Sequence, residues 1–198
     1  MPKPLKVAVF LSGGGRTLKN LILQRDQHQL PIDIRLVISS SAKVAGVQVG
    51  RDAGIETIVV RQADYADPQS YCQAMFGPCR DAGAQWVVMA GFLKHVLVPD
   101  DFAGHVINIH PSLIPAFSGH GMYGDNVHRA AIERGVQYSG CTVHLVDNEY
   151  DHGPILLQRV CEVRPGMTAE ELAASVFELE CEALPAAIRQ IAMRHGAI

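Results

Sequence analysis

Short apolar runs alternate with helix-like stretches along most of this chain, and that alternation constrains its fold more than any other feature. Val7 to Leu11 is a continuous apolar run, as a strand covered on both faces requires. Ser12-Gly-Gly-Gly15 breaks it, and Leu18, Leu21 and Ile22 then begin a helical stripe. The pattern predicts further strands over Ile32–Ile38, Ile55–Val60, Trp86–Ala90 and Val106–Ile109. It predicts helices over Ala45–Ala53, Tyr71–Ala82 and Val127–Arg134, with Gly77-Pro78 expected to kink or split the second. Strand, helix, strand with short connections means right-handed crossovers and a parallel sheet. Cys141–Val146 and Ile155–Val163 have no helix between them and predict an antiparallel addition at one edge. Thr168-Ala-Glu-Glu171 is a capping box opening a long helix with Leu172, Val176 and Leu179 on one face. Pro185 is expected to bend or interrupt that helix.

The expected fold class is therefore α/β, a three-layer Rossmann-like arrangement with a mostly parallel sheet and an antiparallel edge. One domain over residues 1–198 accounts for the whole pattern. Composition narrows the function classes. The net charge is -3 and no run of Lys and Arg occurs, which argues against a grip on nucleic acid. No apolar stretch approaches the roughly 20 residues of a membrane span. The N-terminal apolar run ends at Ser12-Gly13, too soon for a signal peptide. The 5 cysteines are odd in number and scattered, with no CxxC pair. Reduced thiols in a cytoplasmic protein fit that usage better than a disulfide framework or a zinc ribbon.

In an open parallel sheet, ligands bind beyond the carboxyl ends of the strands. That rule selects the loops after Leu11, Ala90, Ile109 and Val146. The first, Ser12 to Thr17, places three glycines before a helix, where free N–H groups attract anions. It is neither a Walker loop nor a GxGxxG turn, since Leu18 stands where the last glycine is needed. It reads as a monophosphate site or as a bare tight turn. The third runs through Asn108, His110 and Pro111, and strand alternation puts Asn108 and His110 on one side. An amide and an imidazole projecting together suit an oxyanion and a moving proton, although His-Pro at a strand end also serves as a plain turn. A glycine-rich stretch, Phe117 to Asn126, follows with the length of a lid or binding loop. The fourth loop, Asp147 to Gly153, offers aspartates that form ordinary turns. Folded back over His110, one of them would hold the imidazole and raise its pKa. His110, His144, His152 and Asp151 match no standard metal spacing, and no metal is expected; His144 reads as a packed mid-strand histidine.

Ser12-Gly-Gly-Gly, then Asn108-Ile-His-Pro-Ser-Leu-Ile-Pro, then Asp151-His-Gly-Pro-Ile with Gln158 occur in order at suitable separations. Together they make the chain similar to the 10-formyltetrahydrofolate-dependent formyltransferases, from about Lys6 to Pro185. Within that family the resemblance is greatest to members that formylate glycinamide ribonucleotide in purine synthesis. The resemblance implies the formyltransferase fold, with 10-formyltetrahydrofolate as co-substrate. It implies catalytic roles for Asn108, His110 and Asp151. Gly13, Gly14, Gly15, Arg16 and Thr17 fall on the loop that holds the ribonucleotide phosphate, and Glu180 on an acid that contacts the ribonucleotide. Leu93, Lys94, His95 and Val96, with Asn108, fall on the folate site. Two departures stand out: the family's Ser-Asn pair after the glycines is Arg16-Thr17 here, and an arginine of the folate site aligns near Pro68.

On this reading an amine attacks the formyl carbon, Asn108 and a protonated His110 donate to the resulting oxyanion, and Asp151 keeps His110 charged. The expected partners are small-molecule substrates, without nucleic acid or membrane, and the chain is expected as a monomer or homodimer. Three alternatives remain. A tRNA-directed relative would carry a further C-terminal domain and basic surface. A formyltetrahydrofolate hydrolase would carry an N-terminal regulatory domain. A nucleotide-binding module would lack catalysis altogether.

Overall fold

The computed structural model describes residues 3–196. Five parallel strands, β1 (Leu5–Leu11), β2 (Ile32–Ser39), β3 (Thr57–Val59), β4 (Trp86–Met89) and β5 (Val106–His110), form most of one sheet. Two antiparallel strands, β6 (Tyr138–Leu145) and β7 (Ile155–Glu162), extend it beyond β5. The order is β3-β2-β1-β4-β5-β6-β7, the α/β sheet with an antiparallel edge expected from the sequence. Alternation along β1 divides the core. Val7, Val9 and Leu11 pack with Leu18 and Leu21 of α1 (Arg16–Asp26), Ala131 of α4 (Asp125–Arg134) and Leu172 and Val176 of α5 (Ala169–Arg194). Ala8 and Phe10 point the other way, onto Tyr71, Met75 and Phe76 of α3 (Pro68–Asp81). The short α2 (Ala45–Asp52) lies against α1. The chain runs from β1 outward to β2 and β3 and then returns to add β4 on the other side of β1, so the carboxyl ends of β1 and β4 flank the switch point where such sheets bind ligands.

Three local expectations need correction. β3 spans only Thr57–Val59, three residues at the sheet edge. α3 begins at Pro68, because Asp67 caps it by accepting from the Ser70 N–H at 2.8 Å, and it runs unbroken with Pro78 in its last turn. α5 continues through Pro185 to Arg194. A proline frees the carbonyl four residues before it, here that of Cys181. Asn20 Nδ2 and Gln24 Nε2 of α1 donate to that carbonyl at 2.9 and 3.3 Å, so the helix keeps its course and is tied to α1. The Thr168–Glu171 capping box forms as expected. All five cysteines are free. Among the described residues no helix is long and apolar enough to cross a membrane.

Candidate active site

A cavity of about 460 Å³ opens beyond the carboxyl ends of β4 and β5 and is closed by the start of α1, the 91–96 segment, the 119–125 segment, the 147–151 loop and α5. That volume suits a small-molecule site. The β5–β6 register sets Asn108 opposite His144 and His110 opposite Thr142, so four polar side chains share one face. His144 Nδ1 donates to the Leu145 carbonyl at 2.8 Å, which leaves Nε2 to accept from Asn108 Nδ2 at 3.2 Å. His144, read from the sequence as a packed histidine, thereby fixes which way the Asn108 amide faces. Its role depends on strand register, a signal that lies outside its own neighbours in sequence.

The 147–153 loop does fold back over His110. Asp151 Oδ2 lies 3.5 Å from His110 Nδ1, and Oδ1 lies 3.7 Å from His144 Nε2. The same carboxylate accepts from the Gly119 N–H at 2.9 Å. His110 Nε2 donates to the Phe117 carbonyl at 2.9 Å. Phe117 and Asp151 both adopt positive φ, 51° and 52°, which side chains rarely do. Strain of that kind gathers where a local arrangement is over-determined by its surroundings. The glycine-rich stretch and the 147–153 loop thus grip His110 from both ring nitrogens.

The expected rise in the His110 pKa is not observed. Burial pushes it below its ordinary value and outweighs the opposing pull of Asp151 and the Phe117 carbonyl. For Asp151 the balance runs the other way. Burial would raise it, but the nearby His110 ring and the Gly119 N–H hold it below the usual carboxylate range. Behind the cluster, Thr142 donates to the Ser112 carbonyl at 2.7 Å and accepts from the Ile114 N–H and from Gln158 Nε2. Gln158 also donates to the Ile114 carbonyl, so β6 and β7 together pin the segment that follows His110.

The expected phosphate loop divides. Arg16 and Thr17 line the cavity, but Gly13, Gly14 and Gly15 do not. Gly15 has φ 75°, and a Cβ there would sit 2.7 Å from the Gly46 Cα, so its role is close packing of the turn on α2. A Cβ at Gly13 or Gly14 would meet nothing. Glu180 lines the cavity from α5; burial raises its carboxyl to about 7, with Arg16 pulling downward. Leu93, Lys94, His95 and Val96 all line the cavity, beside Met89, Phe92 and Val146. Ser12 Oγ anchors their segment by accepting from the Leu93 N–H at 2.9 Å. Pro68 opens α3 and lies outside the cavity lining. Sequence reasoning missed Phe177, His128, His120 and Tyr150, which also line it. Among the described residues no group of three or more His, Cys, Asp or Glu side chains is arranged to hold a metal ion.

A family described as formyl transferase matches residues 5–188. The chain is 39 % identical over 180 residues to the chloroplastic phosphoribosylglycinamide formyltransferase of Vigna unguiculata, covering 88 % of this chain and 57 % of that protein. It thus spans less than two thirds of that relative's length. Its fold is similar to glycinamide ribonucleotide transformylase 1 from Symbiobacterium toebii, with TM-score 0.91, 32 % identity, and 98 % and 90 % of the two chains covered. It is also similar to phosphoribosylglycinamide formyltransferase from Brucella melitensis, with TM-score 0.85, 34 % identity and 96 % of each chain covered.

Proposed function

The chain belongs to the formyl transferase family, and on that premise we propose that it transfers a formyl group from 10-formyltetrahydrofolate to the amine of glycinamide ribonucleotide. The observation that carries the reading is one buried polar cluster, in which Asn108 is hydrogen-bonded to His144 and the Asp151 carboxylate stands 3.5 and 3.7 Å from His110 and His144, on the wall of a cavity that also holds Arg16, Glu180 and the 91–96 segment. The apolar side chains Met89, Phe92, Val96 and Val146 suit a flat pterin ring, and Arg16 with the start of α1 suits a phosphate.

Attack of the amine places negative charge on the formyl oxygen. The Asn108 amide spends one N–H on His144 and has the second to give to that oxygen. His110 donates from Nε2 once the Phe117 carbonyl is exchanged for the oxyanion. A proton leaves the attacking amine and one arrives at the departing nitrogen. With its Nδ1 proton held toward Asp151, a charged His110 gives its Nε2 proton to the departing nitrogen and, then neutral, takes up at Nε2 the proton that the amine releases. Because burial depresses the resting His110, the carboxylate matters most during that transfer.

The test is formyl transfer by the purified protein. Loss of the formyl group from the folate is expected only when glycinamide ribonucleotide is present, with formylated ribonucleotide formed in equal amount. Loss to water alone would indicate a hydrolase, transfer only to charged initiator tRNA another acceptor, and ligand binding without turnover a binding module. Each of these would overturn the reading.

A further inference from the structure

We propose that Phe177 is a positioning residue for the acceptor phosphate, holding the Arg16 guanidinium flat so that its N–H edge stays available to the anion. The proposal rests on the ribonucleotide reading above and extends it to a residue outside the catalytic cluster. Among the described residues, Arg16 and Lys94 are the arginine and lysine side chains that line the cavity, and they come from different segments. Arg16 is the first residue of α1. The first bond inside that helix runs from the Lys19 N–H to the Gly15 carbonyl, so the N–H groups of Arg16, Thr17 and Leu18 stand outside its own bonding. No acidic residue lies in that turn to offset them. The start of α1 is therefore positive in both backbone and side chain.

The Arg16 Cζ lies 3.7 Å from the centroid of the Phe177 ring. That contact takes up a face of the guanidinium, while its donors all lie in the plane. An arginine free to sample many rotamers loses that freedom on binding, and one already stacked loses less. The helix that carries Phe177 is tied to α1 through the Cys181 carbonyl that Pro185 frees, one turn beyond the ring. Glu180 follows three residues later and lines the same end of the cavity, as residues three apart share a helix face. One helix thus supplies both the ring that orients the cation and an acid facing the same ligand.

The experiment measures the binding of ribose 5-phosphate and of glycinamide ribonucleotide by titration calorimetry. Wild type, Phe177→Leu, Phe177→Tyr, Arg16→Ala and the Arg16→Ala/Phe177→Leu double variant are compared, with circular dichroism to show that each is folded. Phe177→Leu is expected to weaken both ligands about three- to tenfold, Phe177→Tyr to bind within about twofold of wild type, and Phe177→Leu to add less than about twofold once Arg16 is gone. Unchanged binding in Phe177→Leu, or the same loss with and without Arg16, would overturn the proposal, as would a wild type that binds no ribose 5-phosphate. A wild type that binds ribose 5-phosphate through Phe177 and Arg16, yet forms no formylated ribonucleotide, would overturn the acceptor and leave the positioning intact.

Discussion

Around His110 the cavity wall consists of side chains that hold one another, whereas around Arg16 it consists of side chains held by backbone and a single aromatic ring. The His110, His144 and Asp151 side chains are 5, 2 and 12 % exposed and share one network. Arg16 is exposed and stacks its guanidinium on the face of the Phe177 ring. On the proposed function the difference separates two tasks. Stabilising a transient charge needs dipoles that are fixed before the reaction and shielded from water. Capturing a phosphate needs positive charge that incoming anions can reach. Damage at the buried end should therefore fall on turnover, and damage at the open end on binding or on the packing that carries it.

The largest effect is expected from Asp151→Asn, which keeps size but removes charge. The kcat should fall by roughly 10²- to 10³-fold, with a much smaller change in ribonucleotide affinity measured without folate. A loss of comparable size in affinity would erase the division. Next is Gly15→Ala, which forces a side chain into φ 75° against Gly46 and should destabilise by about 2–4 kcal/mol in urea unfolding. Third is Glu180→Gln. Its folded pKa of about 7 stands above the ordinary 4.5, so the folded chain holds a proton that the unfolded chain releases. The favourable contribution is complete below about 4.5 and is lost as pH rises through 7. Glu180→Gln should therefore raise stability at pH 8 by about 2 kcal/mol, after allowing for partial solvent screening, and leave pH 4 nearly unchanged. The smallest is Asn20→Ala, which removes one donor to the Cys181 carbonyl and should lower stability by about 1 kcal/mol, read from the thermal midpoint.

The parts of the site carried by local pattern were legible in the sequence. Alternation put Asn108 and His110 on one face of β5, and the loop after Val146 was the natural source of a carboxylate. His144 was not legible, because only the antiparallel register sets it opposite Asn108. The His110 pKa was misjudged for a related reason. Its neighbour in charge follows from the loop, but its burial depends on strands and loops that close around it. In the fold, the parallel sheet, its antiparallel edge and the layering followed from apolar runs, whereas the order of the strands and the path of α5 did not. A local rule breaks helices at proline, and here two amides from a distant helix supply the missing partner.

The central claim is that His110 and Asp151 act as one unit, and a double-mutant cycle on kcat tests it most directly. Asp151→Asn, His110→Ala and the double variant are compared at saturating substrates, with ribonucleotide binding measured separately. The account predicts that the double variant is little worse than either single one, because a carboxylate that works through an imidazole has nothing to act on once the ring is gone. Losses that multiply across the two positions, or near-normal turnover in Asp151→Asn, would contradict it.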